Sequence, residues 1–243
     1  METVRILSYN LHSGGGMDGV IDYERLANVI RKSNAQVSGL QEISKLRPDC
    51  NVDDPLKFMA ELLGQNDYFA ETVMPTYIDK VYHYGIGALS AIQTEQVGEL
   101  ELPNLDNAEP RKAIFLKNVT DSGKTFYFVN THLAHNDGER FDQLRKEQLQ
   151  AIHQYVLEKK FYPVIITGDL NDTPNSPCID YLTQNYTTTD LTMPTFPSIH
   201  PEKRIDYIAF FPCDAFKIKE SVIIEETLAS DHRPLYAELE IMY

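Results

Sequence analysis

The sequence predicts a single α/β domain, because stretches with the pattern of β-strands alternate along the chain with stretches that have the apolar spacing of helices. No Gly/Ser-rich linker and no shift in composition divides the 243 residues. Each half also contains a strand–helix–strand unit that ends in an acidic residue. Two such halves suit a pair of similar sheets packed together, so we expect one domain over residues 1–243.

The first quarter of the chain contains two strands and two helices. "TVRILSYN" (3–10) alternates enough to be a strand. "DYERLANVIRKSN" (22–34) carries apolar residues at helical spacing, with Asp22 at the position of an N-cap. "AQVSGLQE" (35–42) returns to the strand pattern. A short helix over 55–64 follows, and its final glycine is suited to end it.

The rest of the chain repeats this alternation. We expect helices over 138–159 and 176–184, and strands over 85–92, 112–119, 125–132, 163–169, 204–211 and 234–243. The helix over 138–159 is the longest and has an apolar stripe. The strand "PVIITGD" (163–169) is rich in apolar, β-branched residues, which is typical of a strand buried on both faces.

Composition and charge limit the classes of function. The net charge of −14 does not favour general attraction to nucleic-acid backbones, although a local basic patch or a bound cation can override it. The three cysteines are far apart and form no CxxC pair, which suits a reducing compartment rather than a disulfide framework or a zinc cluster. Residues 1–20 lack a signal-peptide core, and no run approaches 18 apolar residues. We therefore expect a cytoplasmic protein without stable membrane insertion, although a removed signal peptide would leave the same picture.

Acidic, amide and histidine side chains stand at the ends of several predicted strands. They are Asn10, Glu42, His132, Asp169 with Asn171, and Asp231 with His232. Strand ends gather along one rim of a sheet, where α/β proteins place ligand sites. Taken singly, a strand-terminal Asp or Asn is more often a turn former. Asp206 is harder to explain by structure alone, because a carboxylate inside the apolar stretch "RIDYIAF" is costly unless it is paired.

The same set of side chains predicts a metal site. Carboxylates brought together repel one another and raise one another's pKa values unless a cation is present. The oxygen-rich group suits Mg²⁺ or Mn²⁺ better than zinc, because it contains no cysteine. Its members are Asn10, Glu42, Asp169, Asn171 and Asp231.

Six short motifs follow one another in a fixed order along nearly the whole chain. They are "SYN" (8–10), "LQE" (40–42), "NTHL" (130–133), "GDLN" (168–171), "RIDYI" (204–208) and "SDHRPL" (230–235). This order resembles the endonuclease/exonuclease/phosphatase superfamily. The resemblance implies a four-layer α/β sandwich, with two mixed sheets face to face and helices outside. It also implies that water attacks the phosphorus of a phosphoester with the help of a divalent metal.

The resemblance further implies roles in metal binding and water attack. Glu42, helped by Asn10, would hold the metal that polarises a phosphoryl oxygen. Asp231 would complete the surroundings of the metal or of the neighbouring histidine. Asp169 would orient or deprotonate the attacking water, and Asn171 would fix the phosphate. Alternate residues of an extended segment project alike, so we expect both side chains to reach one phosphorus atom.

Other residues are expected to contact the phosphate. By the same resemblance, His232 would donate to the phosphate oxygens, Asp206 would keep it protonated and correctly turned, and His132 would bind from the other side. Arg111 precedes a predicted strand and could supply a positive group, with an ordinary surface arginine as the alternative. Arg204 is the second candidate for contact with the phosphate or the leaving group.

The sequence therefore predicts a Mg²⁺- or Mn²⁺-dependent phosphodiesterase or phosphatase that acts on a compact, small or lipid-like substrate. The chain has no basic, aromatic-rich stripe, which argues against a long nucleic-acid track. A nuclease that cleaves DNA or RNA is the alternative, since it needs the same centre and a groove. A catalytically inactive binding module is the third hypothesis, and the complete motif set argues against it. The sequence indicates no protein partner.

Overall fold

Two mixed six-stranded sheets are present in the computed structural model, which describes residues 2–77, 79–106 and 108–243. In chain order the strands are β1 (Thr3–Asn10), β2 (Val37–Lys45), β3 (Asn66–Val73), β4 (Thr76–Tyr77), β5 (Lys80–Val81), β6 (His83–Ser90), β7 (Gln93–Glu101), β8 (Lys112–Val119), β9 (Thr125–His132), β10 (Val164–Asp169), β11 (Thr187–Thr188), β12 (Asp206–Phe211), β13 (Phe216–Ile223) and β14 (Leu235–Ile241).

The two sheets have similar arrangements. The first has the strand order β13-β14-β1-β2-β6-β3, and the second has the order β11-β12-β10-β9-β8-β7. The middle of each sheet is a parallel pair, β1 with β2 and β9 with β10. The other pairings in both sheets are antiparallel. Strands β4 and β5 form a separate two-stranded ribbon.

The helices begin and end where their sequences provide caps. They are α1 (Tyr23–Ser33), α2 (Pro55–Leu63), α3 (Glu139–Lys159) and α4 (Pro177–Asn185). Asp22, Asp54 and Ser176 each accept a hydrogen bond from a backbone N–H of the first turn of α1, α2 and α4, respectively. Gly64 follows α2 with a φ of 65°, a left-handed conformation that ends the helix at little steric cost.

Three apolar clusters define four layers. The first cluster lies between the sheets and joins residues such as Ile6 of β1 to Phe128 of β9. The second packs the outer face of the first sheet, including Leu7, against α1 and α2. The third packs the second sheet against α3 and α4. Because neighbouring residues such as Ile6 and Leu7 fall in different clusters, the strand alternation is confirmed and so is the predicted sandwich.

The sequence patterns missed three long strands at the edges of the sheets. β3 and β13 are the outermost strands of the first sheet, and β7 is an outermost strand of the second. Their residues are mostly partly buried or exposed, as in "QTEQVGELE" of β7. An edge strand needs little apolar surface, so hydrophobic alternation is weak there. No helix in the described part of the chain is long and apolar enough to cross a membrane.

Candidate active site

The carboxyl ends of the central strands of both sheets meet at one rim. Asn10 is the last residue of β1, and its Nδ2 donates hydrogen bonds to Glu42 Oε1 and to Asp169 Oδ2, both at 3.1 Å. Glu42 belongs to the first sheet and Asp169 to the second. The structure therefore brings these three predicted residues together, with the amide of Asn10 joining carboxylates from opposite sheets.

Glu42 does not end its strand, as the sequence pattern suggested, but lies at a bulge within β2. The pairing of β2 with β6 shifts after Leu40, and Glu42 adopts a φ of 57°. Asn130 of β9, in the facing sheet, donates from Nδ2 to the carbonyl oxygens of Leu40 and Gly87, both at 2.8 Å. Its Oδ1 accepts a hydrogen bond from Gln41 Nε2 at 2.7 Å. The bulge that presents Glu42 is therefore held by the opposite sheet.

Asp169 and Asn171 are neighbours because of a turn, and the expected extended geometry is wrong. β10 ends at Asp169, and Asn171 adopts a left-handed φ of 52°. The backbone N–H of Asn171 donates to Asp169 Oδ1 at 2.9 Å, and its Nδ2 donates to the carbonyl of Leu133 at 3.1 Å. A side chain that accepts from the backbone two residues on forms an Asx turn, which both residue types favour.

His232 is held between two carboxylates. Its Nδ1 lies 2.9 Å from Asp206 Oδ2, and its Nε2 lies 3.7 Å from Asp169 Oδ2. Asp206 is the first residue of β12, not an interior one, and is paired in register with Asp169. Burial alone would lower the pKa of His232, but the charges of Asp206 and Asp169 outweigh it and raise the pKa to about 10. The imidazole is therefore cationic at neutral pH.

His132 approaches Asp169 from the other side. Its Nε2 lies 3.6 Å from Asp169 Oδ2. Burial, followed by the positive charge of Arg111, holds the pKa of His132 well below its usual range, so its ring is neutral. Burial and the charge of Asp206 raise the pKa of Asp169 to about 7. One carboxylate oxygen thus faces both histidines and Asn10 at the centre of the site.

The donor set at the rim fits a hard divalent cation. Glu42 and Asp231 line the cleft with carboxylate oxygens, which Mg²⁺ and Mn²⁺ prefer. Potential ligand atoms of Asp169, Asp206 and His232 also lie within 4.8 Å of one another, but His232 is hydrogen-bonded to Asp206 there. Asn10 turns its amide nitrogen toward the carboxylates, while its oxygen accepts from the N–H of His12 at 3.0 Å. This orientation suits a positioning role better than the expected ligand role.

The two predicted substrate arginines occupy different places. Arg111 lines a cleft of about 760 Å³, is 3% exposed, and contacts Glu109 and His135, each at 3.0 Å. Arg204 does not line this cleft. Its guanidinium donates to the carboxylate and the carbonyl of Asp190, each at 3.0 Å, and to one further carbonyl. The structure therefore does not bring Arg204 to the substrate, because its charge is used inside a neighbouring loop.

Two polar residues were overlooked within the quoted motifs. Asn130 and Gln41 are fully buried and hydrogen-bonded to each other across the two sheets, and they lie close to Glu42 and His132 in the sequence. The feature of the sequence that pointed to Asp206 also points to these two residues. A polar side chain inside an apolar strand such as "FYFVNTH" is costly unless it has partners.

The fold and the rim together define a phosphoesterase-type α/β sandwich, and comparison with known proteins identifies its family. Residues 7–232 match the model of the endonuclease/exonuclease/phosphatase family, so the chain belongs to that family. Members of this family are hydrolases that act on phosphoesters. No curated protein sequence matches the chain.

Solved structures confirm the fold. A family member from Beutenbergia cavernae is 21% identical with a TM-score of 0.82, over 99% of this chain and 72% of that one. A mannosyl-6-phosphatase of Bacteroides thetaiotaomicron is 22% identical with a TM-score of 0.77, over 98% and 100%. The human Nocturnin catalytic domain, with a bound sulfate anion, is 15% identical with a TM-score of 0.70, over 98% and 93%. At these identities the likeness concerns the fold alone.

Proposed function

We propose that residues 1–243 form the catalytic domain of a Mg²⁺- or Mn²⁺-dependent phosphoester hydrolase in which water attacks phosphorus. The observation that carries this proposal is the position of the Asp169 carboxylate. One of its oxygens lies within 3.7 Å of Asn10 of β1, His132 of β9 and His232 in the loop before β14. A carboxylate held between a cationic and a neutral histidine suits the activation of water beside a phosphate.

Glu42 and Asp231 are the proposed metal ligands. A divalent cation bound there would polarise a phosphoryl oxygen and offset the negative charge that grows on the phosphate. Asn10 holds Glu42 through a hydrogen bond of 3.1 Å and thus sets the position of one ligand relative to Asp169. Asp231 is partly exposed at the cleft, so a cation from solvent can reach its carboxylate.

Asp169 orients the attacking water and accepts its proton. Its Oδ1 is engaged by the N–H of Asn171, which leaves Oδ2 directed toward the histidines. The turn that creates this contact also places the side chain of Asn171 at the cleft, where its amide can hold a phosphate oxygen. Proton transfer by a positioned carboxylate contributes on the order of 10²–10⁴ in rate.

The two histidines stabilise the phosphate from different directions. His232 is cationic and donates from Nε2, while Asp206 binds Nδ1 and fixes the orientation of the ring. A charge-assisted hydrogen bond of this kind gains strength as negative charge grows on the phosphate oxygens. His132 is neutral and binds a second oxygen. Arg111, beside His132, adds a permanent positive charge on the same side.

Compact substrates are favoured over nucleic acid, and a mannosyl-6-phosphatase is among the structurally similar proteins. The net charge of −14 gives no general attraction for a polyanion.

We also place the protein in the cytoplasm. The three cysteines, Cys50, Cys178 and Cys213, are free, which supports a reducing compartment.

The test is hydrolysis of p-nitrophenyl phosphate and bis-p-nitrophenyl phosphate by the purified full chain. EDTA should abolish hydrolysis, Mg²⁺ or Mn²⁺ should restore it, and Asp169→Asn should reduce kcat by on the order of 10²–10⁴. Undiminished hydrolysis in a metal-free sample contradicts the proposed metal. Supercoiled plasmid is included in the panel, because nicking that disappears in Asp169→Asn would indicate a nuclease.

A further inference from the structure

The cleft beside Asp169 has an excess of negative charge. Seven carboxylates line it, and four of these lie outside the predicted catalytic set: Glu109, Asp137, Asp142 and Asp172. Among the described lining residues, the arginines and lysines are Arg111, Arg145 and Lys203. With cationic His232 and one divalent cation included, the lining still carries no net positive charge. Nucleic-acid strands are bound by positively charged tracks, so this cleft is unsuited to a chain of phosphates.

The wall of the cleft is built around a buried arginine whose charge is already neutralised. Arg145 of α3 is 4% exposed, and its Nη1 donates to two carbonyl groups of the loop after β9, at 2.8 and 3.1 Å. Its guanidinium also contacts Asp142, and its Nε lies 3.1 Å from Asp172. Arg145 therefore fixes the loop that carries His135 and Asp137, and no charge is left over for a second phosphate.

Hydrogen-bond donors lie beside these carboxylates in the same cleft. Arg111 Nη2 lies 3.0 Å from His135 Nδ1. Since a guanidinium only donates, Nδ1 of His135 must accept, and the ring proton is on Nε2. His135 is exposed at the cleft and thus presents an N–H. The Nε of Arg111 is buried at the cleft with no hydrogen-bond partner among the described residues.

We infer that this part of the cleft binds the leaving group of a phosphomonoester, and that the leaving group is an uncharged polyhydroxy molecule of hexose type. The inference rests on the proposed function, since the phosphate itself would bind at Asp169. Carboxylates such as Asp137 can only accept hydrogen bonds, whereas His135 and Arg111 donate. A hydroxyl group both donates and accepts, so neighbouring hydroxyls satisfy both the carboxylates and the donors.

A cationic leaving group fits this arrangement less well. An ammonium group can only donate, so it would satisfy the carboxylates but leave the donors His135 and Arg111 without an acceptor. Quaternary ammonium groups are bound by aromatic faces. Of the described lining residues, Tyr84 and Phe196 are the aromatic ones, and the Phe196 ring packs on His232 with centroids 4.8 Å apart.

The test compares kcat/KM for a hexose 6-phosphate and for n-butyl phosphate. Both release a primary alcohol, so their ratio reports on binding of the leaving group. We expect the hexose ester to be preferred by at least about tenfold, the effect of one hydrogen bond to a charged group. Asp137→Ala and His135→Ala should each reduce this ratio by about tenfold. Asp121→Ala removes an exposed acid at the opposite end of β9 and should leave the ratio unchanged.

Three results would overturn the inference. The first is a ratio near one, or a ratio unchanged in Asp137→Ala and His135→Ala when thermal unfolding shows both variants to be folded. The second is faster turnover of phosphoethanolamine than of the hexose ester, and the third is preference for a 5′-phosphorylated oligonucleotide. If n-butyl phosphate or p-nitrophenyl phosphate is still hydrolysed in these cases, the proposed function stands. If no ester in the panel is hydrolysed, the proposed function fails and the inference fails with it.

Discussion

Replacement of Asn130 by alanine should destabilise the protein and weaken its metal binding, because this side chain holds the bulge of β2. Asn130 donates to the carbonyls of Leu40 and Gly87, and accepts from Gln41 and Thr167, over distances of 2.7–3.2 Å. A buried hydrogen bond contributes about 1 kcal/mol net, so the loss of four should cost about 4 kcal/mol. For a chain of this length the melting temperature should fall by on the order of 10 °C.

The matched control is Asn118→Ala. Asn118 is also fully buried in the second sheet, but its Oδ1 accepts a single hydrogen bond, from Thr94 at 2.7 Å. Its replacement should cost about 1 kcal/mol and leave metal binding intact. Thermal unfolding measures the stabilities, and calorimetric titration with Mg²⁺ or Mn²⁺ measures the affinity that depends on Glu42.

Asn130→Asp keeps the shape of the side chain but removes its two hydrogen-bond donors. A carboxylate can only accept, so it would face the two carbonyl oxygens without a donor and should be at least as damaging as alanine. The reasoning is refuted if Asn130→Ala is no less stable than Asn118→Ala, or if folded Asn130→Ala binds the metal with wild-type affinity. The second result would mean that Glu42 keeps its position without the bulge contact.

Three further predictions follow from the same geometry. Asp206→Asn and His232→Ala should each reduce kcat by about a hundredfold or more, and the double variant should be little worse, because the two residues act as one unit. Losses that multiply would show that they act independently. Arg204→Ala should lower the melting temperature while KM stays within about twofold, since its charge is paired away from the cleft; a raised KM at unchanged stability would restore its role in substrate binding. Gly39→Ala would place a Cβ 2.2 Å from a side-chain oxygen of β10 and should cost about 1–3 kcal/mol in urea unfolding, so wild-type stability would contradict the close approach of the sheets.

The fold was predictable wherever the burial of an element leaves a pattern in its own sequence. The strand "TVRILSYN" (3–10) matches β1 residue for residue, because alternate side chains enter different apolar clusters. Helix α1 begins after Asp22 as expected, since an N-cap is a local hydrogen bond. Edge strands such as β7 leave no such pattern, because solvent covers much of their surface. Their positions are set by antiparallel pairing with the next long strand along the chain, as β7 pairs with β8 and β13 with β14.

The candidate site was also predictable only where its features are local in the sequence. The sequence could indicate which residues gather at the rim, because short motifs and strand ends are local features. It could not indicate that Glu42 lies within a strand, since that depends on Asn130 of the other sheet. Nor could the sequence indicate that Arg111 lines the cleft whereas Arg204 does not. Both are buried, and only the loop that encloses Arg204 decides that its charge is used internally.

The hydrogen bonds behind the rim imply that the geometry of the site is a property of the interface between the sheets. Asn10 bonds to a carboxylate from each sheet, and Asn130 reaches from the second sheet to the backbone of the first. A relative shift of the sheets by 1 Å would lengthen both sets of contacts beyond hydrogen-bonding distance. The apolar cluster between the sheets, which includes Ile6 and Phe128, opposes such a shift, because close-packed side chains leave no room for one sheet to move against the other. The helices pack on the outer faces of the sheets, so they influence the distance between Glu42 and Asp169 through the strands that they cover.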